Sequence, residues 1–78
     1  MTTRQQFIDV SEIIISTFGE AIISFEKYED EHSGSFKTVK TVEDVSKVLA
    51  EDWTDFEVHP HYGKHKKEFE KYRLRYSR

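Results

Sequence analysis

Three histidines, His59, His61 and His65, form a His-x-His-x-x-x-His array, and imidazole pairs suit zinc, copper or nickel. On an extended chain His59 and His61 would share a face, with Glu57 as the nearest carboxylate of the same parity. Pro60 interrupts such a strand, and Lys64, Lys66, Lys67, Lys71 and Arg73 would repel a divalent ion. The plainer reading is a set of exposed loop histidines that gain charge as pH falls toward about 6. No metal or other cofactor is expected.

The same residues could serve general acid–base chemistry, His61 with Glu57 or His65 with Tyr62, as in a small ribonuclease. That chemistry needs base, acid and a phosphate-binding cation to converge in one cleft. The residue types are present, but no spacing fixes them together. Nucleophilic catalysis has even less support, because cysteine is absent and no Gly-x-Ser-x-Gly elbow occurs. Three isolated glycines make neither a phosphate loop nor a dinucleotide fingerprint. No catalytic residue is assigned, and the chain reads as a non-enzyme.

Charge carries more information in its distribution than in its total of −3. Residues 1–57 hold five Lys/Arg against thirteen Asp/Glu, a net of −8, whereas residues 58–78 hold seven against two, a net of +5. Such asymmetry presents a face to a charged partner, unless the basic end lies against the acidic body and neutralises it. On the basic side the candidate contacts are Lys64, Lys66, Lys67, Arg73 and Arg75, interleaved with Tyr62, Phe69, Tyr72 and Tyr76. Cations hold phosphates and aromatic faces stack on unpaired bases, so single-stranded nucleic acid is the alternative ligand. On a terminal strand, however, Lys71, Arg73 and Arg75 fall on one face and Tyr72, Leu74 and Tyr76 on the other. The tyrosines then belong to a core, and only phosphate binding survives. On the acidic side Glu29, Asp30, Glu31, Asp52 and Asp55 could meet a basic groove.

At 78 residues the chain is one domain, 1–78, near the low end of what folds alone. Aromatic residues make up 14 %, and rings that each bury roughly 150–250 Å² can close a core despite the charge. Surface scaling predicts roughly 5,000 Å² of accessible area, enough for one interface of about 800 Å² and little enclosed pocket. The absence of cysteine removes disulfides and thiolate metal sites. The longest aliphatic run, Ile13 to Ile15, is far too short for a membrane span. A cytoplasmic protein, without membrane contact, is expected.

The elements that would position these residues follow from periodicity. Thr2 or Thr3 can cap a helix carrying Phe7, Val10, Ile14 and Phe18 on one face, with Gly19 as its left-handed stop. The β-branched residues Ile13, Ile14, Ile15 and Thr17 argue for a strand in the same place. Residues 20–28 alternate as a strand, Glu29 to Ser35 reads as a polar turn, and Phe36 to Lys40 as the returning strand. Thr41-Val42-Glu43-Asp44 resembles a capping box before Val42, Val45, Val48 and Leu49, with Trp53 closing that helix. Thr54 to His59 reads as a strand ended by Pro60, followed by a loop to Lys67 with Gly63 as its pivot. Residues 72–77 alternate as a last strand, a helix being the rival there. The sum is an α+β domain in the order α-β-β-α-β-β, with a single antiparallel sheet and two helices on one face.

Within that frame the expected function is a protein-binding module, monomer or dimer, that uses charge to find its partner and aromatic rings to hold it. Its size, lack of cysteine and aromatic-plus-charged content are compatible with the inhibitory accessory proteins of phages and mobile elements.

Overall fold

The computed structural model describes residues 2–27 and 30–78, and the side chains of all of these except residues 27 and 30–34. The chain runs α1 (Arg4–Phe18), β1 (Ala21–Lys27), β2 (Asp30–Val39), α2 (Val42–Leu49), β3 (Asp55–His59) and β4 (Leu74–Ser77). The four strands form one antiparallel sheet in the order β2-β1-β3-β4. The expected α+β order is present, and residues 74–77 are strand rather than helix.

Helix α1 forms where β-branched residues alone would favour a strand, because both its ends are fixed. The Thr3 hydroxyl accepts from the Gln6 N–H at 3.1 Å, and the Gln6 side chain accepts from the Thr3 N–H at 2.8 Å. This reciprocal capping box satisfies two orphan donors. At the other end Gly19 adopts φ 85°, and its N–H bonds to the Ile15 carbonyl at 2.8 Å. A side chain at that φ would be strained, so glycine stops the helix and turns the chain into β1. Between the caps Phe7, Ile8, Ser11 and Ile14 are buried. The Ser11 hydroxyl donates to the Phe7 carbonyl at 2.7 Å and so enters the core with its polar atom satisfied.

Helix α2 has the predicted cap in half measure. Thr41 accepts from the Asp44 N–H at 3.2 Å, but the Asp44 carboxylate lies 3.5 Å from the N–H of Lys40, not from that of Thr41. Aspartate is one methylene shorter than the glutamate of a full capping box. Val45, Val48 and Leu49 are buried, whereas Val42 is exposed. Trp53 lies beyond the helix, with its ring 4.6 Å from that of Phe25 and its indole N–H on Glu51 at 2.9 Å.

Strand β2 starts at Asp30, inside the stretch expected to be a turn. Phe25 pairs with Ser35 and Lys27 with Asp30, so the pairing register shifts between them, with residues 31–34 opposite Glu26. Bulges concentrate at sheet edges, and an edge strand turns half its backbone to water. Polar residues are therefore no obstacle to extension there. Both helices lie on the face reached by Ile23, Phe25, Val39, Phe56 and Val58, and with these they build the core. Leu74 and Tyr76 of β4 and Tyr72 before it pack against its margin.

Candidate partner-binding surface

Residues 60–73, between β3 and β4, wrap one end of the sheet as a chain of single turns. The N–H groups of His65, Phe69 and Tyr72 each bond to the carbonyl four residues back, at 2.9, 3.0 and 3.1 Å. The predicted loop is thus better ordered than its composition implies. Gly63 does not pivot through a left-handed conformation, since Gly19 is the only positive-φ residue described. A Cβ at Gly63 would lie 3.1 Å from the His61 ring, so close approach is what glycine serves there.

The three histidines enter three separate environments. His59 is buried, contrary to the expectation of exposed loop histidines. Its Nδ1 lies 2.7 Å from the Pro60 carbonyl oxygen and the Phe69 ring covers it at 4.6 Å. The reason is register: His59 pairs with Ile22 at the end of β3, where Phe69 folds over the sheet. His61 accepts at Nδ1 from the N–H groups of Gly63 and Lys64 and stacks on Tyr62, while His65 packs on Phe18 at 4.5 Å. Among the described residues no three His, Asp or Glu side chains are grouped to hold a metal. The pairs considered for acid–base work are likewise not formed as such: His61 meets Tyr62, His65 meets Phe18, and Glu57 is engaged by arginines.

Much of the basic end is neutralised inside the fold. Arg73 binds Glu57 at 2.9 Å and Glu70 at 3.6 Å, and Arg75 lies 3.7 Å from Glu57. The strand register explains this, because Glu57 and Arg75 are Cα partners across β3 and β4. The bond to Glu57 raises the Arg73 pKa above its ordinary value. Lys64 reaches Glu20 at 3.2 Å, and its hydrogen bond holds the Glu20 carboxyl below the usual range. Among the described residues of this end, Lys66, Lys67, Lys71 and Arg78 stay exposed without an ion pair, Lys71 lying over the Tyr72 ring and Arg78 over that of Phe56. In the same segment as Lys66 and Lys67, Tyr62 is 66 % exposed, the one tyrosine of this region outside the core margin.

The acidic candidates gather at the opposite end of the sheet. Antiparallel topology brings the end of β1 and the starts of β2 and β3 together there, and with them Glu26, Asp30, Glu31, Asp52 and Asp55. Glu29 lies outside the described residues, as do the side chains of Asp30 and Glu31. Asp55 accepts from the hydroxyls of Ser77 at 2.7 Å and Thr54 at 3.2 Å. The strands thus run from an acidic pole to a basic one.

Between the poles, the helix-free face of the sheet carries a shallow groove of about 380 Å³ lined by Ser24, Glu26, Phe36, Asp55, Glu57 and Arg75 among others. Phe36 stands on it 68 % exposed. The sequence places Tyr62 among the rings interleaved with cations, but that pattern points to no surface role for Phe36. For Phe36 the signal was available: in Phe36-Lys37-Thr38-Val39, a buried Val39 sends Phe36 to the other face. For Glu20 as the partner of Lys64 there was none, since the two are 44 residues apart.

The chain matches no protein-family model, no curated protein and no solved structure. Among the described residues no helix is long and apolar enough to cross a membrane.

Proposed function

We propose that the chain is a non-enzymatic protein-binding module that engages an acidic protein surface through residues 61–67 of its basic pole. The observation that carries this reading is Tyr62, an exposed ring in the same segment as Lys66 and Lys67, which are exposed and have no ion pair among the described residues. Charges at a rim steer the encounter and suppress wrong partners, while a desolvated aromatic anchor slows release. Such a module acts as an inhibitor when the surface it covers is a working groove of its partner.

Single-stranded nucleic acid is the weaker ligand for this surface. Of the four rings interleaved with cations, Tyr72 and Tyr76 pack on the core and Phe69 covers His59. Arg73, Arg75 and Lys64 are each held by a carboxylate. Few cations and one ring remain for a phosphate chain and its bases.

The test is affinity capture from the source cell, with nucleic acid kept and digested in parallel. The expected result is a nuclease-resistant protein partner whose affinity falls about 30-fold or more with Tyr62→Ala, the loss typical of an anchor residue. Lys66→Glu with Lys67→Glu should weaken capture most at low salt. Capture abolished by nuclease would favour the nucleic-acid reading, and capture indifferent to both variants would remove this surface from the account.

A further inference from the structure

The helix-free face of the sheet is complementary to itself. Four residues form one row across it: Phe36 on β2, Ser24 on β1, Glu57 on β3 and Arg75 on β4 are successive Cα partners. On one side of that row lie Glu26 and Asp55, also Cα partners, which leave the face low and acidic. On the other side residues 60–73 stand over the sheet, with Phe69 on His59 and the Arg73 guanidinium 5.8 Å from the Phe69 ring. That end is raised and basic. Tyr62 belongs to it, with its ring 6.4 Å from that of Phe69.

We infer that two chains pair face to face through this surface, each basic pole seated on the acidic pole of the other. The inference rests on the reading of residues 61–67 as a protein-contact surface and names a second copy of the chain as an occupant that fits it. A two-fold axis lying between the faces and running across the strands achieves the match. It sets the raised end of each copy into the low end of its mate and brings Arg73 toward Asp55 of the second copy. The central rows then lie over one another. Phe36 meets Phe36 of the second copy, and the two Glu57–Arg75 pairs form a four-charge cluster of zero net charge. Two sheets packed in this manner are separated by about 10 Å, so the exposed rings of Phe36 fill the space between them. A standard interface needs about 800 Å² per partner, a modest share of the 5313 Å² surface. A foreign protein, the competing occupant, would leave the purified chain monomeric.

The experiment is sedimentation equilibrium on the purified chain at low salt, from about 1 µM to about 1 mM, a range that spans dimers of ordinary affinity. The mean mass should rise from 9.3 kDa toward twice that value. Phe36→Ala and, separately, Glu26→Lys should each move the midpoint to at least about 10-fold higher concentration, as loss of a contact at the core of an interface does. Both side chains are exposed, and circular dichroism checks that the fold is kept. A monomeric mass throughout overturns the pairing. So does a dimer whose midpoint ignores both variants, which would join through a strand edge instead. A monomeric mass with Tyr62-dependent capture intact removes the second copy alone; loss of that capture as well removes the contact surface too.

Discussion

Along β1 Ile23 and Phe25 point to the helices while Ser24 between them points away, and along β3 Phe56 and Val58 point in while Asp55 and Glu57 point out. Two faces are therefore made from alternate residues of the same strands, about one residue spacing apart in sequence. The covered face is dry and aromatic, with the Phe7 ring 6.3 Å from that of Phe56 and 5.8 Å from that of Tyr76. The open face carries hydroxyls, opposed charges and one bare ring. The contrast teaches where the chain is committed. Slipping a strand by one residue would exchange the two sets, so the covered face fixes register. The open face is left free to carry recognition.

The largest effect should come from breaking the covered face. Phe56 is 2 % exposed and in contact with rings from both α1 and β4. Truncating such a residue costs about 3–5 kcal/mol through lost burial and the cavity left behind. Folded domains hold only about 5–15 kcal/mol in total. Phe56→Ala should therefore lose most of its cooperative unfolding transition in urea, followed by Trp53 fluorescence. An unchanged midpoint would mean that the two faces do not divide the labour as described.

The cover itself can be loosened more gently. Removing the Thr3 hydroxyl in Thr3→Ala leaves the Gln6 N–H without its acceptor, and loss of such a cap costs about 1 kcal/mol. The helix stays seated by Phe7 and Ile14, so the expected result is a shifted urea midpoint with an unaltered slope. A change in slope would instead report partial detachment of α1 from the sheet.

These elements were legible in the sequence to different degrees. The capped helices, the central strands and the position of Gly19 follow from local signals that packing also rewards, and such agreement between levels is what lets a sequence specify its fold. The extent of β2 was not legible, because nothing in a polar edge stretch distinguishes an irregular strand from a turn. The charge split was visible, but its internal neutralisation was only half so. Glu57 against Arg75 follows from hairpin register, whereas Lys64 with Glu20 and Lys37 with Glu51 depend on where loops and helices come to rest. The burial of His59 depends on Phe69, ten residues later, folding back over the strand.

A smaller effect, at the rim of the covered face, appears only in acid. Lys37 and the Trp53 indole hydrogen-bond to Glu51 and hold its carboxyl below the usual 4.5, with Lys37 the larger cause. A folded-state value below the unfolded one gives stability that is fully present above the unfolded value. That stability is lost as pH falls through the folded one. The urea midpoint should therefore fall as pH drops below 4.5, and Lys37→Met should flatten part of that fall while leaving the open face untouched. Both side chains are well exposed, so the slope is expected to be shallow and to fade in salt.

The smallest effect on stability is expected at the residue that matters most to the open face. Phe36 is 68 % exposed and lies outside the core cluster, and surface substitutions away from buried features stay within about 0.5 kcal/mol. Phe36→Ala should unfold in dilute urea at the same midpoint as the parent chain, where Phe56→Ala does not. At high concentration the parent should gain stability from self-association by mass action, and Phe36→Ala should not. The two curves that coincide when dilute should therefore separate as the protein is concentrated. If they remain superimposed at every concentration, the ring contributes to neither face, and the open side of the sheet is solvent-facing surface only.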